Sequence, residues 1–482
     1  MNRRMVLYTI GKIANIQSVL LLLPAIVCLC YLEIKNLLVF LAVALFSFVI
    51  GLVLKQISKP RDSVIYAKEG FLIVTSTWLF MSVIGALPFV ISGAIPSFID
   101  AFFETVSGFT TTGASILSNV EALTSKGMLF WRSFTHWIGG MGVLVFILAV
   151  MPSISERSIH ILRAEVPGPV VGKLVPKLKD TAKILYLIYF VLTVAEIILL
   201  ICGKMPVFDS IVHSLGTAGT GGFGVKGDSL AGYSAYCQWV ITAFMLIFGI
   251  NFNLYYLLLL RNVRQVFKSE ELWAYIGIVV VATSAIVVNI HSTFSNLEEA
   301  IRHSAFQVAS IITTTGYATA DFNLWPGLSK AILFVLMIIG GCAGSTAGGF
   351  KVSRIVLLFK MIKRELKKLI HPRSVSVVRF EGERAEEGVL SSVAVYLAIY
   401  CFCFLAIFLL ISFEPFGTET NLSAVTACFN NVGPGFAGVG PASSYAAYSG
   451  FSKTVLSFAM LMGRLEIFPV LLFFSPNVWK RK

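Results

Sequence analysis

The sequence predicts an all-α membrane protein with two leading transmembrane helices and four pseudo-symmetric repeats around one axis. The first observation is composition: 57% of the 482 residues are hydrophobic and 13% are charged, about half the charged fraction of soluble proteins. The second is a series of ten apolar runs, each long enough to cross a bilayer. The third is a shorter, half-apolar segment that recurs four times before a glycine-rich stretch. This pattern excludes a soluble enzyme and a disordered chain.

The ten apolar runs set the number of predicted crossings. The first run follows Arg3 and Arg4, as in a secretory signal peptide, but it continues to about Tyr31 and another run follows it directly. We therefore predict a retained first transmembrane helix. The runs lie near residues 13–32, 37–54, 70–92, 128–151, 181–202, 235–260, 271–290, 327–350, 391–412 and 451–475.

Basic residues predict the orientation of these crossings. The formal net charge of +13 arises from short clusters between apolar runs, which is typical of cytoplasmic loops and not of a nucleic-acid-binding surface. The clusters, which precede the first crossing or follow an even number of crossings, are Arg3 and Arg4, Lys55 to Arg61, Arg157 to Lys179, Arg261 to Lys268, Lys360 to Arg373, and Lys480 to Lys482. We predict a multi-pass protein of the cytoplasmic (inner) membrane with both termini cytoplasmic.

Four shorter segments interrupt the alternation of crossings. Each is too short to span a bilayer, so we predict re-entrant half helices that are followed by extended loops. They lie near residues 98–112, 207–221, 297–315 and 419–432 and lead into SGFTTTGAS, GTAGTGGFG, SIITTTGYAT and ACFNNVGPGFAG. Spacings of 109, 94 and 117 residues between Gly113, Gly222, Gly316 and Gly433 indicate an internal repeat. The predicted units are residues 1–62 for the two additional helices, then repeats 63–155, 156–268, 269–373 and 374–482.

The four loops predict a binding site for a dehydrated cation. Non-helical backbone at membrane depth is tolerated where it lines a water-filled path, and carbonyl oxygens from equivalent loops can replace the hydration shell of an ion. Glycine lets successive carbonyls face one axis, and the carbonyl end of each half helix favours a cation. The candidate filter residues are Thr111, Thr112, Gly113, Thr220, Gly221, Gly222, Thr314, Thr315, Gly316, Asn431, Val432 and Gly433. Because Pro434 and Gly435 depart from the TTGY pattern, Gly435 is an alternative to Gly433.

The eighth apolar run contains a glycine-rich interruption. Gly340 and Gly344 would permit close helix packing through small residues. We favour an irregular loop instead, because each helical glycine costs about 0.8–1 kcal/mol relative to alanine. The candidate residues of this loop are Gly340, Gly341, Gly344, Ser345, Gly348 and Gly349.

Charged residues in apolar segments give a further candidate. Arg464 lies in the middle of the last apolar run, and we expect it to be the one deeply placed charge within the spans. Glu466 is the nearest acid, but residues two apart on a helix do not face each other, which argues against a local salt bridge. An arginine below the filter would instead repel cations. Glu104 and Asp209 lie in half helices, where we expect them to interact with the helix dipole rather than to attract cations.

Four signatures carry a resemblance to a known family. They are WRSFTHWIGGMG (131–142), GINFNLYY (249–256), GGCAGSTAGGFK (340–351) and MGRLEIF (462–468). Together with the four loops they resemble the Trk/Ktr/HKT superfamily of potassium transport proteins. The two extra leading helices are most similar to the Trk membrane subunit.

This resemblance implies a fold of four repeats of M1, pore helix, filter loop and M2 around one pore. It implies that K⁺ binds in the filter, with Rb⁺ as an analogue, and that glycine in all four loops goes with potassium selectivity, whereas serine in the first goes with sodium transport. The loop in the third M2 would block the pore beneath the filter, and Arg464 would form a barrier or hold that loop through its carbonyls. The resemblance further implies a homodimer and a cytoplasmic RCK-type nucleotide-binding subunit.

No nucleotide-binding motif occurs in the chain itself. Gly433, Gly435 and Gly438 spell G-x-G-x-x-G, but no βαβ unit surrounds them. We therefore expect no covalent cofactor, and ATP or NAD only on the partner subunit, which would dock on Lys360 to Arg373 and the C-terminus. The sequence predicts a transport protein and not an enzyme. An alternating-access secondary transporter of another cation or solute remains the alternative.

Overall fold

The computed structural model describes residues 3–59, 67–142, 178–374 and 376–479. These residues are predominantly helical. Parts of the basic clusters that predict the orientation, namely Arg61, the stretch from Arg157 to Lys177 and the C-terminal Lys480 to Lys482, lie outside the described residues.

Three helices form the leading segment and pack on the first repeat. The side chain of Ser47 donates to the carbonyl oxygen of Ala14 at 2.8 Å, and Gly11 and Gly51 allow close approach of the two backbones because a Cβ on Gly11 would lie 2.9 Å from the Gly51 oxygen. Gln17 then donates to the Met81 oxygen at 2.9 Å and joins this pair to the repeats. The three helices are α1 (Arg3–Leu20), α2 (Leu22–Cys30) and α3 (Ile34–Ile57).

The remaining chain runs through four successive units, each with a long helix, a short helix and a second helix. The first contains α4 (Ala67–Ser92), α5 (Phe98–Phe109) and α6 (Lys126–Gly140). The second contains α7 (Leu178–Cys202), α8 (Val207–Gly219), α9 (Ala235–Phe248), α10 (Phe252–Leu259) and α11 (Val263–Phe267). The third contains α12 (Glu270–Ile290), α13 (Leu297–Ile312), α14 (Gly327–Ile339) and α15 (Val352–Ile370). The fourth contains α16 (Glu387–Ile411), α17 (Thr418–Phe429), α18 (Gly450–Arg464), α19 (Phe468–Phe474) and α20 (Pro476–Trp479).

The second helix of each unit begins at a local sequence signal. Side-chain oxygens of Ser125, Ser234 and Ser449 accept from the backbone N–H three residues later and cap α6, α9 and α18. The third unit uses proline instead, because Pro326 precedes the first turn of α14 and needs no N–H partner.

The number of long helices is smaller than the ten predicted crossings. Within the described residues, six helices are long and apolar enough to cross a membrane, or seven if α9 and α10 count as one crossing bent by 89°. The predicted crossings near 327–350 and 451–475 are interrupted after Ile339 and Arg464, and the one near 128–151 is helical only to Gly140 before the chain leaves the described residues. Hydropathy missed these breaks because the interrupting residues remain mostly apolar or small.

A small hairpin connects the third and fourth units. Strands β1 (Arg379–Phe380) and β2 (Glu383–Arg384) pair antiparallel, with Phe380 opposite Glu383. The two residues between them, Glu381 and Gly382, both have positive φ, at 52° and 82°, which is the geometry of a type I′ turn.

Candidate ion pathway

The four short helices α5, α8, α13 and α17 end in loops with the same backbone pattern. A residue in the left-handed region follows each helix, namely Thr111 (φ 55°), Thr220 (54°), Thr314 (56°) and Asn431 (57°). Two residues later each loop has a glycine with positive φ, namely Gly113 (79°), Gly222 (76°), Gly316 (82°) and Gly433 (96°). Side chains with a Cβ rarely adopt these angles, so the recurrence identifies equivalent positions in the four units.

The glycines also show that the loops close into a ring in chain order. A Cβ on Gly113 would overlap the carbonyl oxygen of Gly221, and one on Gly222 would overlap that of Thr315. A Cβ on Gly316 would overlap the oxygen of Val432. The ring closes because a Cβ on Gly433 would meet the oxygen of Thr112 at 2.5 Å. Each loop therefore presents its glycine to the carbonyl group of the next.

The four carbonyl groups that meet these glycines share one property. Within the described part of the chain, none of the oxygens of Thr112, Gly221, Thr315 and Val432 accepts a hydrogen bond. The carbonyl ends of α5, α8, α13 and α17 lie within two residues of the loops, so their partial negative charges add to the same region. A ring of unpaired, partially negative oxygens can coordinate a monovalent cation.

Side chains behind the ring brace the loops. The hydroxyl groups of Thr110 and Thr112 lie 2.8 Å apart, as do those of Thr313 and Thr315 in the equivalent place. The Asn431 amide donates to the Thr112 hydroxyl at 3.0 Å and joins the fourth loop to the first. These hydroxyl and amide groups are buried. Hydrogen-bond networks that are shielded from water are rigid, so these bonds hold the loops in place.

The fourth loop has Gly433 in the ring position. Gly433 has the positive φ and the approach to the next loop that the other three glycines share. Gly435 is not among the glycines with positive φ, and a Cβ there would lie 2.9 Å from the Ser423 hydroxyl. The oxygen of Gly433 accepts from the Tyr445 hydroxyl at 2.8 Å, which anchors this loop.

The glycine-rich stretch of the third unit is a loop that touches this ring. No helix is present between Ile339 and Val352, and Gly340, Gly344 and Gly349 have positive φ. This stretch, here called the plug loop (Gly340–Gly349), reaches the second of the four loops, where the Thr220 hydroxyl donates to the Thr346 oxygen at 2.9 Å. It also reaches the third, where the Gly348 N–H donates to the Thr314 hydroxyl at 2.7 Å.

Arg464 joins the plug loop to the first unit. Its guanidinium donates to the Thr346 oxygen at 2.7 Å and to the oxygens of Gly139 and Gly140 at the end of α6. Glu466, the nearest acid in sequence, pairs instead with Arg354. Arg464 is thus buried between the plug loop and the C-terminal end of α6, where carbonyl groups offset its charge.

Other buried charges correct the expectation that Arg464 is the one deeply placed charge. Glu104 does not lie at a helix start: it is in the middle of α5, is 1% exposed and pairs with Arg132 at 2.8 Å. The Glu104 carboxylate also accepts from the Ser115 hydroxyl and the Ile116 N–H, each at 2.9 Å. Glu104 therefore holds the chain just beyond the first of the four loops. Arg132 lies within the aromatic signature WRSFTHWIGGMG, and its partner Glu104 is 28 residues away in sequence.

Arg132 extends this brace to the second loop. Its guanidinium carbon lies 4.1 Å from the centre of the Phe223 ring and its Nη1 lies 3.4 Å from the Gly224 oxygen. His136 also stacks on Phe223, with the two ring centres 4.2 Å apart, and is a buried packing residue. Asp209 lies in the first turn of α8 as expected and accepts from Tyr233 at 2.8 Å.

Comparison with known proteins identifies the family. The family model described as TrkH, cation transport protein, matches residues 36–481. The chain belongs to the TrkH family of cation transport proteins. It is 35% identical to the Trk system potassium uptake protein TrkH of Salmonella typhimurium, with 100% of both chains covered. It is 34% identical to the Trk system potassium uptake protein TrkG of Escherichia coli, with 99% of both chains covered.

The fold agrees with this membership. The structure matches the crystal structure of the potassium transporter TrkH from Vibrio parahaemolyticus with a TM-score of 0.88, at 32% identity and with 100% of both chains covered. Membership of this family confirms the resemblance inferred from the four signatures and the prediction of a multi-pass membrane protein that transports ions and is not an enzyme.

Proposed function

We propose that the chain carries out potassium uptake across the cytoplasmic membrane and that the ring of four loops is its selectivity filter. The observation that carries this proposal is the ring itself, in which each glycine meets the unpaired carbonyl group preceding the glycine of the next loop. The proposed filter residues are Thr111 to Gly113 in the first loop and the three residues at the equivalent positions of each other loop, as named from the sequence. Relatives of the same length are named potassium uptake proteins, which supports the choice of ion.

Glycine in all four ring positions supports selectivity for K⁺ over Na⁺. Carbonyl oxygens held at fixed separation replace the water shell of a large ion better than that of a small one. Rb⁺ is close to K⁺ in size, so the same ring should admit it. Uptake by the purified protein in liposomes should therefore be similar for K⁺ and Rb⁺ and much lower for Na⁺, and equal uptake of Na⁺ would contradict the proposal.

The plug loop is the proposed gate. Three contacts support this role. The loop bonds the second filter loop through Thr346, bonds the third through Gly348, and is attached to Arg464. A short, glycine-rich segment can change conformation at small cost because its residues lack restricting side chains. Deleting Gly344 to Ala347 should produce Rb⁺ uptake that needs no partner subunit, whereas a role in helix packing alone predicts loss of protein from the membrane.

A cytoplasmic RCK-type subunit that binds ATP or NAD is the proposed regulator. Its proposed docking surface is the basic stretch Lys360 to Arg373, which includes most of α15. This helix exposes Lys363, Lys367 and Lys368 together with apolar side chains such as Leu369, which is 78% exposed. A mixed basic and apolar surface suits a protein partner. Both termini are proposed to face the same, cytoplasmic side, and a homodimer is the proposed assembly.

The alternative of alternating access places a substrate between two halves that rock against each other. The contacts here favour a fixed site, because all four loops touch in a closed cycle and cannot separate in pairs without breaking the ring. Flux at single-channel rates would distinguish a pore from a carrier.

A further inference from the structure

Glu271 is a buried acid in the first turn of α12, outside the filter and the plug loop. Its side chain is among the buried polar groups, at 5% exposure. One carboxylate oxygen, Oε1, accepts from the Ala343 N–H at 2.7 Å and from the Ser353 N–H at 3.0 Å. Ala343 belongs to the plug loop and Ser353 to the first turn of α15. The same oxygen therefore holds the loop and the helix that follows it.

These two amide groups are suited to a carboxylate. The Ser353 N–H is one of the first four of α15, which have no partner within the helix and carry the positive end of its dipole. The Ala343 N–H lies in non-helical chain. A carboxylate oxygen has two lone pairs and can accept from both amides at once, so one side chain joins the two segments. Loss of the carboxylate would leave both buried amides without this acceptor.

The hairpin holds the start of α12. Glu381, at the type I′ turn, accepts through Oε1 from the Ser269 hydroxyl and from the Glu271 N–H, each at 3.0 Å. Ser269 is the residue that caps α12. Lys360 of α15 donates to the Arg379 oxygen at 2.7 Å and so attaches the other side of the hairpin. The hydrogen bonds run without interruption from the exposed turn, through Glu271, to the plug loop.

We propose that Glu271 is a positioning residue that holds the plug loop in its closed place, and that the hairpin controls it through Glu381. This inference rests on the proposed function, since it assigns a holding group to the proposed gate. Displacement of the hairpin by a cytoplasmic partner would move the N-terminus of α12, withdraw the carboxylate from Ala343 and free the loop. The hairpin is thereby a second contact point for regulation besides the basic stretch Lys360 to Arg373.

A structural role for Glu271 makes a different prediction. If its carboxylate only stabilises the fold, substitution lowers the amount or the melting temperature of the protein and leaves the flux per molecule unchanged. A role in holding the gate raises the flux per molecule and leaves the ratio of Rb⁺ to Na⁺ uptake unchanged, because the ring of carbonyls is not altered.

The test measures radioactive Rb⁺ uptake into liposomes that contain the purified full chain without a partner subunit. We expect Glu271→Ala to raise uptake by about tenfold or more over the unaltered protein, and Glu271→Gln, which keeps an accepting oxygen without the charge, to raise it less. Glu381→Gln should also raise uptake, by a smaller factor. The matched control is Glu383→Gln, because this exposed carboxylate lies in β2 of the same hairpin and, in the described structure, makes no hydrogen bond to α12 or to the plug loop.

The deletion of Gly344 to Ala347 separates the two proposals. If the protein that lacks Gly344 to Ala347 takes up Rb⁺ and neither Glu271→Ala nor Glu381→Gln raises uptake, the proposed holding role of Glu271 is wrong while the proposed gate stands. If the protein that lacks these residues takes up no Rb⁺ at normal protein levels, the proposed gate itself is wrong. Should Glu271→Ala not reconstitute, Glu381→Gln on the exposed turn decides the question, and an unchanged uptake in that variant counts against the proposal.

Discussion

Serine in place of Gly316 tests the assignment of the filter at a ring position where any side chain would overlap the next loop. Gly316 has φ of 82°, and a non-glycine residue in left-handed backbone costs about 1–2 kcal/mol. A Cβ there would overlap the Val432 oxygen and lie 2.8 Å from Pro434 Cδ. Because the overlapped atom belongs to the backbone, rotation of a side chain cannot relieve the contact. The third and fourth loops must therefore move apart.

The size of the effect follows from that displacement. Moving one carbonyl of the ring changes the coordination of a dehydrated ion, and each 1.4 kcal/mol of lost discrimination corresponds to a factor of about ten. The strain at Gly316 is of this order even before the overlap is counted. We expect Gly316→Ser to lower the ratio of Rb⁺ to Na⁺ uptake by about tenfold or more.

The assay compares Rb⁺ and Na⁺ uptake in potassium-depleted bacteria that lack uptake systems of their own. The matched control is Thr319→Ser, which retains the hydroxyl group that lies 2.8 Å from His303 Nδ1 just beyond the loop. This control should keep the unaltered ion ratio. An unchanged ratio in Gly316→Ser, at equal amounts of protein in the membrane, would refute the place of Gly316 in a selectivity filter.

Three further predictions follow from the geometry. Arg464→Ala removes the bonds to the plug loop and to the end of α6, so Rb⁺ uptake should rise severalfold without a change in ion ratio; a loss of uptake in well-folded protein would favour a structural role. Gly433→Ala should lower the ratio of Rb⁺ to Na⁺ uptake more than Gly435→Ala, and the reverse order would move the fourth ring position to Gly435. Glu33, between α2 and α3, is partly buried, which raises its pKa, but bonds from Ser125 and the Lys126 N–H lower the pKa of this carboxyl below its usual range overall. Because the pKa of Glu33 is lower in the folded state, its ionised carboxylate stabilises the fold at pH values above its unfolded pKa of about 4.3. Glu33→Gln should therefore reduce the melting temperature at pH 7, and the difference between variant and unaltered protein should shrink as the pH falls below about 4. A difference that stays constant with pH would count against this role.

The short helices and their loops could be predicted from the sequence because their signals are local. A half-apolar segment that ends in threonine and glycine specifies both a helix too short to span and a turn into left-handed backbone. The structure places the helix ends at Phe109, Gly219, Ile312 and Phe429, each within three residues of the predicted end. The register of the fourth loop needed the structure, because Gly433 and Gly435 differ in φ and not in residue type.

The side chains that hold the loops could not be predicted, because their partners are distant in sequence. Glu104 is 28 residues from Arg132, and Glu271 is 72 residues from Ala343. Apolar runs such as 128–151 do contain Arg132, so an arginine amid aromatic residues was the available signal for a buried pair. Glu271 gave no such signal, since an acid in the first turn of a helix is common.

Rubidium bound in the ring is the most direct test of the central claim, because it locates the ion rather than its passage. Anomalous scattering from crystals of the protein grown with Rb⁺ should give a peak on the axis between the carbonyl oxygens of Thr112, Gly221, Thr315 and Val432. That peak should weaken when K⁺ is added and persist when Na⁺ is added. Rubidium found only elsewhere in the protein, with no peak among these four oxygens, would contradict the account.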